Sequence, residues 1–352
     1  MSNVYFIPIG KDSCVHDRSE IAARLLKIVV ERENVNLERH IPLKVHFGEK
    51  GNRTWLPAEI YNGVIGFLKE RDIGSEFIET TVLYGGERFT AEKHTKLALS
   101  HGFTQLPIVI ADGKSGEDSV SVPVSLKHFQ YCAIARKLAE SPQTIVLAHF
   151  KGHGLAGFGG AIKQLSMGFA AQGGKLAMHM SVKPTIRNHG LFWTCKHCKL
   201  CMTRCRHGAI HVEDKKSWID HEKCVGCGAC FSICPHHAVS IFTWDGICNA
   251  LFRKNLFREK LVEYAYASHH EHHNIYISFV LNVTAGCDCE PRPMKPVVPD
   301  IGVFASLDPV AIDSACWDAV ANAGVKFKGV EQLDYAESIG LGTRKYHLVT
   351  LE

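Results

Sequence analysis

The sequence lacks any apolar run long enough to span a bilayer, and residues 1–10 carry neither a basic region nor an apolar core followed by a cleavage site. These absences lead us to expect a chain that neither crosses nor enters a membrane and works in the cytoplasm. It also lacks a large charge of one sign: 40 Lys and Arg face 36 Asp and Glu, a formal net charge of +4 over 352 residues. A dedicated nucleic-acid binder concentrates basic residues on one face, so no nucleic-acid partner is expected. With 46% hydrophobic and 22% charged residues, the composition excludes extended disorder and leaves room for two or three domains with a real core.

Cysteine is plentiful, at fourteen residues. Eight form two quartets, Cys195, Cys198, Cys201, Cys205 and Cys224, Cys227, Cys230, Cys234, the second followed by Pro235. The x2, x2, x3 spacing is that of bacterial ferredoxins, in which three thiolates wrap one [4Fe-4S] cube and the fourth cysteine of each run reaches the other cube. We therefore assign Cys195, Cys198, Cys201 and Cys234 to one cluster and Cys224, Cys227, Cys230 and Cys205 to the second. The quartets are offset by 29 residues throughout, and Ala209-Ile210 falls opposite Ala238-Val239 at the same offset, the mark of an internal duplication. Zinc ribbons also pair C-x2-C units, but zinc would leave Cys201, Cys205, Cys230 and Cys234 without a role. Arg206 stands where the first run would carry proline. Ligand thiolates need a reducing compartment. Of the remaining six, Cys14, Cys132, Cys248 and Cys316 read as scattered small core residues.

Around this module the pattern is α/β: mostly parallel sheets covered by helices, with a small α+β ferredoxin-like insertion. Strands are expected at 4–8, 43–47, 77–83, 108–111, 144–150, 176–180, 275–283, 301–305 and 346–351, with 119–124 as a possible antiparallel edge. Helices are expected at 19–33 capped by Ser19, 57–71, 90–101, 126–140, after Lys163 to about 171, 245–267, and 309–322 capped by Asp308. The α/β domain then covers 1–188 and 244–352, with the two-cluster insertion at 189–243.

Two further stretches carry chemistry. The strand at 144–150 runs into a glycine-rich turn and a helix, with Lys151, His153, Gly157, Gly159, Gly160 and Lys163. Glycines at a helix N-terminus can present N–H groups to an anion, or can simply let helix and strand pack closely. The order of glycines fits neither a Walker A loop nor the dinucleotide fingerprint. Cys287 and Cys289 follow the strand at 275–283. Separated by one residue, they can offer sulfur to one soft metal, or be two buried thiols. The histidines of 268–274 read as a polar loop rather than a chelator, and His236 and His237 as groups that tune the second cluster by hydrogen bonding.

With these residues in view, the chain resembles along nearly its whole length the uncharacterised iron-sulfur centre proteins, an α/β domain of unknown function often carrying a two-cubane insertion. The stretches that match are 44–52, 83–86, 149–168, 287–289, 299–302 and 306–313. The resemblance implies the fold but no established reaction. Residues His153 to Lys163 are also similar to the cofactor segment of nickel-pincer lactate racemases, with the lysine one residue later. Two readings of function follow. The first is an iron-sulfur redox protein passing electrons from a ferredoxin or reductase to a small-molecule ligand near His153, Lys163, Cys287 and Cys289, where a further anionic or metal cofactor is possible. The second is a small-acid racemase or isomerase, or a cluster or metal carrier, in which the clusters are structural.

Overall fold

The computed structural model describes residues 1–10, 12–180, 184–205, 207–214, 216–224, 229–240 and 254–352. Eight strands form the central sheet, in the order Tyr346–Thr350, Ser2–Pro8, Gly302–Ser306, Ile275–Val280, Ile145–His149, Leu43–Lys44, Phe77–Glu79 and Ile108–Ile110. Gly302–Ser306 runs antiparallel to both neighbours, and every other pairing is parallel. The expected α/β class is what the chain adopts.

Alternation along the strands explains why both faces are covered. Ile145 and Leu147 enter one core with Leu25, Leu26, Val64 and Phe279, whereas Val146 enters the other with Ile162, Leu165, Leu261 and Val310. Helices Val15–Arg32 and Asn62–Lys69 close the first face; Ala161–Phe169, Lys254–Ala267, Pro309–Asn322 and Glu331–Ser338 close the second. Each large apolar side chain moved out of water this way contributes about 1.5–3 kcal/mol. Asp308 caps its helix as expected, its Oδ1 accepting the N–H groups of Val310 and Ala311.

Several local expectations give way to tertiary packing. The helix expected at 126–140 is instead a strand, Tyr131–Ala135, followed by one helical turn, Arg136–Ala139. Its partner is Ser119–Pro123, in a separate hairpin rather than at the edge of the main sheet. Residues Cys132–Ala135 are all buried, and Ala133 N–H donates to Tyr264 Oη on helix Lys254–Ala267. The strand expected at 176–180 is the end of a helix, Gln172–Met180. Gly173-Gly174 reads as a breaker in sequence, yet a Cβ on Gly174 would lie 2.6 Å from the Tyr264 ring and 2.7 Å from Ala133 O, so the glycine lets this helix approach its neighbours.

The first helix begins at Val15, capped by Cys14, whose N–H bonds Asp17, so this cysteine is an exposed cap rather than a core residue. Ser19 lies within the helix, and its Oγ accepts the Gly63 N–H at 2.6 Å. The stretch 57–71 divides into a 3-10 turn, Ala58–Tyr61, and helix Asn62–Lys69. Helix Glu331–Ser338 escaped the sequence pattern: of its buried residues Gln332, Leu333 and Ala336 only two are apolar, with Val330 packed beside them. Of the helix expected at 245–267, residues 245–253 lie outside the described residues, as do Cys227, Arg206 and Cys248. Cys132 and Cys316 are buried, as expected.

Candidate functional site

Parallel α/β sheets open ligand crevices beyond the carboxyl ends of their strands. A cavity of about 420 Å³ lies there. Its walls draw on the segments that follow three parallel strands: His46 after Leu43–Lys44, Glu79 and Val82 to Tyr84 at Phe77–Glu79, and His153 after Ile145–His149. Helix residues Lys163, Met167, Lys175, Leu176, His179 and Phe257 line it as well, together with Arg88 and Cys289.

At the floor, Lys163 Nζ donates to Cys287 Sγ at 3.4 Å, and the Cys289 N–H donates to the same sulfur at 3.4 Å. The neighbouring Cys289 thiol holds the buried Cys287 well below the ordinary thiol range, against burial and with further help from Lys163 and His153. Cys289 is pushed the other way by its bond to Cys287 and by burial. For Lys163, burial is outweighed by the two cysteines, and its ammonium form is favoured. The pair is thus one thiolate beneath one thiol, with a lysine as counter-ion.

His153, Cys287 and Cys289 bring their ligand atoms within 4.8 Å of one another, the one such trio among the described residues. His153 Nδ1 accepts the Ala156 N–H at 3.0 Å. That assigns the ring proton to Nε2, which faces the sulfurs as a donor; ligation of a metal through Nε2 requires this hydrogen bond to break. Between the cysteines, Asp288 is buried and its Oδ2 binds Lys151 Nζ at 2.6 Å and His149 Nδ1 at 2.8 Å. Burial raises this carboxyl, but His149 and Lys151 outweigh it and hold it far below its usual range. Lys151 therefore braces the loop that carries the cysteines.

The glycine-rich turn is a tight hairpin, Lys151–His153 with Gly157–Gly159, ahead of helix Ala161–Phe169. A Cβ on Gly157, whose φ is +93°, would lie 1.8 Å from Lys328 O, and one on Gly160 would lie 2.2 Å from Asp313 Oδ1. Asp313 occupies the helix N-terminus, accepting from Ala161 N at 2.7 Å and Ile162 N at 3.0 Å. Gly159 faces the Lys163 side chain. The close-packing reading describes these glycines, and the acceptor at this turn is the chain's own Asp313, whose carboxyl burial pushes up to about 7.

The other walls hold residues that sequence reasoning missed. Glu79 sits between Lys44 at 3.3 Å and Arg88 at 3.5 Å, which override burial and keep it ionised. Lys175 donates to Thr80 Oγ1, Thr81 O and Ala170 O, and burial holds its pKa down at about 8. His179 gives its Nδ1 proton to Lys175 O, leaving an Nε2 lone pair, and burial lowers it to about 4. His46 Nδ1 accepts the Gly48 N–H, so its Nε2 is a donor. His46 and Glu79 could have been found from the strand-end rule; Arg88, Lys175 and His179, on a loop and a helix, carry no such signal.

The cysteine quartets form a small unit of their own. A second, narrow cavity is lined by Cys195, Cys198, Cys201 and Cys234, with Pro235 and His236 beside them. Burial, followed by the neighbouring Cys195 and Cys234, raises Cys201 to about 11. Ala209 N–H donates to Cys205 Sγ and Ala238 N–H to Cys234 Sγ, both at 3.3 Å, so the duplication extends to sulfur hydrogen bonds. Cys224 and Cys230 pack with Cys205 in the same small core, and Cys227 lies outside the described residues. Phe231, beside Cys230 on helix Ala229–Ile233, lines the larger cavity. The histidines of 268–274 bring no metal-holding trio together among the described residues; His269 bonds Tyr276 and His272 bonds Ser141 O.

Fold and site together define an α/β protein with a lysine-paired cysteine site at the strand ends and a cysteine-rich module beside it. The chain belongs to the family described as a domain of unknown function (DUF362), whose model matches residues 41–318. Short parts are similar to curated proteins: 47% identical over 47 residues to a component of the ion-translocating oxidoreductase complex of Methanosarcina acetivorans, and 41% over 54 residues to the uncharacterized ferredoxin-like protein YdhY of Escherichia coli. These matches take in 13% and 14% of this chain and only 18% and 26% of those relatives. Among solved structures, a Thermotoga maritima protein is similar over 89% of this chain and 60% of its own, at 10% identity and a TM-score of 0.46. The lactate racemase apoprotein of Thermoanaerobacterium thermosaccharolyticum is similar over 80% and 51%, at 12% identity and a TM-score of 0.40. No helix among the described residues is long and apolar enough to cross a membrane.

Proposed function

We propose that this protein is an iron-sulfur redox protein that passes electrons through two [4Fe-4S] clusters to an acceptor or substrate bound in the strand-end cavity. Cys195, Cys198, Cys201 and Cys234 hold one cluster and Cys224, Cys227, Cys230 and Cys205 the other, within an insertion at 189–243. When bound, the clusters supply single-electron transfer. The observation that carries the reading is Phe231: flanked by ligand cysteines of the second quartet, it is also a wall of the cavity that holds His153, Lys163 and Cys289. Electrons leaving that quartet emerge beside the bound molecule.

The chain's own groups set what that molecule is. His46 presents an N–H donor and His179 an acceptor, while Arg88 and Lys163 stand beside Glu79 and Cys287 and Lys175 donates to Thr80 and Thr81. Val82, Leu83, Met167, Leu176 and Phe257 supply an apolar side. Glu79 and the Cys287 thiolate offset Arg88 and Lys163, so a small, largely apolar molecule with a few hydrogen-bonding groups suits such walls. The test is anaerobic iron and acid-labile sulfide analysis: two cubanes require about eight of each per chain, and four irons or fewer, or zinc in their place, would end the proposal.

A second reading draws on the His153, Cys287 and Cys289 trio, in which the protein acts on a small acid or carries a metal and the clusters are structural. About one equivalent of nickel or zinc per chain, lost in Cys287→Ala/Cys289→Ala, would favour it.

A further inference from the structure

Between Glu140 and Glu213 the chain contains no Asp or Glu. The acid-free run passes along the cavity through His153, Lys163 and Lys175, and continues through the first cysteine quartet. There it carries Leu191, Phe192 and Trp193, which are 94%, 75% and 62% exposed, the most exposed large apolar side chains among the described residues apart from Met1. Lys196, Cys198, Lys199, Leu200, Met202 and Arg204 are exposed next to them.

The run is held in place rather than loosely trailing. Cys195 N–H donates to Arg187 O at 2.8 Å, the Arg187 guanidinium lies 5.9 Å from the Trp193 ring, and Trp193 keeps a φ of +56°, which a bulky residue rarely adopts. Consecutive exposed apolar residues framed by one sign of charge mark an interaction surface. Lys196, Lys199 and Leu200 also line the narrow cavity of Cys195, Cys198, Cys201 and Cys234, so whatever covers this surface touches the wall of that cysteine site.

We propose that Leu191, Phe192, Trp193, Lys196, Lys199 and Leu200 form the docking surface for an acidic electron-transfer protein, which delivers electrons at the first quartet. This rests on the redox reading above and gives it a direction: entry at the first quartet, exit beside Phe231. Charge complementarity identifies the partner, since a surface with cations and no acids of its own run attracts an acidic protein, speeds encounter and favours one orientation. A small patch suffices, because redox encounters are at the low end of interface size. The apolar residues exclude water at the centre while the lysines steer from the rim.

The test is stopped-flow reduction of the cluster-loaded protein by a small acidic two-cluster ferredoxin, over a range of salt, beside reduction by methyl viologen radical. Wild type is compared with Phe192→Ser/Trp193→Ser and with Lys196→Glu at equal iron content. The ferredoxin rate constant should fall at least tenfold in each variant and should decline with salt in wild type, while the rate with the cationic viologen radical stays unchanged in Phe192→Ser/Trp193→Ser and does not fall in Lys196→Glu. If the ferredoxin rate is insensitive to salt and to both variants, the surface is wrong although the redox reading stands. If neither reductant reduces the protein, both fall. Should wild type instead bind phosphatidylserine vesicles, and the variants lose that binding with no change in ferredoxin rate, the surface belongs to a membrane and the proposal is overturned.

Discussion

Lys163 Nζ and Cys287 Sγ, 124 residues apart in sequence, meet at 3.4 Å under the floor of the strand-end cavity. Neither group is unusual alone. Together they make a buried ion pair in which the lysine adds to the hydrogen bond from Cys289 in keeping a thiolate charged where burial would otherwise neutralise it. Lys163→Gln should therefore slow alkylation of Cys287 by iodoacetamide at pH 7 by about tenfold or more, with Lys163→Arg retaining much of the rate. Peptide mass spectrometry after timed anaerobic quenching reads this directly, and equal rates in all three proteins would remove the ion pair from the account.

The cross-over of the fourth cysteines is testable by iron counting. Cys234 lines the same narrow cavity as Cys195, Cys198 and Cys201. Cys195→Ser and Cys234→Ser should each drop iron from about eight to about four per chain, and the double variant should lose no more than either one. A double variant with almost no iron would mean that each quartet serves its own cluster.

The hairpin glycines make opposite predictions at neighbouring positions. Gly157→Ala places a Cβ against Lys328 O at a positive φ and should cost about 2 kcal/mol or more. Gly154 has nothing within 4 Å of the position of a Cβ, so Gly154→Ala should stay within about 0.5 kcal/mol. Thermal or urea unfolding of the two variants separates a packing role from mere turn composition.

The buried lysines give stability a pH dependence of definite sign. Burial lowers Lys175 and Lys44 to about 8, from 10.5 for an unperturbed lysine. Between those values the unfolded chain binds more protons than the native one, so each lysine adds stability as pH rises from about 8 towards 10.5, by up to about 3 kcal/mol. In Lys175→Met, the gain in unfolding midpoint between pH 7.5 and 9.5 should shrink to roughly the share left by Lys44 and by Lys260, which burial also lowers to about 8. An unchanged gain would show that Lys175 keeps its proton throughout.

What the sequence by itself determined were the features built from neighbours along the chain. The 29-residue repeat of cysteines, the Asp308 cap and the apolar strands at 145–149 and 275–280 depend on spacing and local hydrogen bonding, and they read directly. The location of the site could also be anticipated, because strand ends of a parallel sheet are where crevices form. Only the tertiary structure decided which side chains meet there. Gly174 looks like a helix breaker until Tyr264 and Ala133 are packed against it, and residues 131–135 become a strand because their neighbours bury them. The same holds for Lys163 with Cys287, Asp313 at the helix start and Phe231 on the cavity wall. These pairings bring together residues distant in sequence, and their energies come from desolvation and close contact, which exist only once the chain has folded.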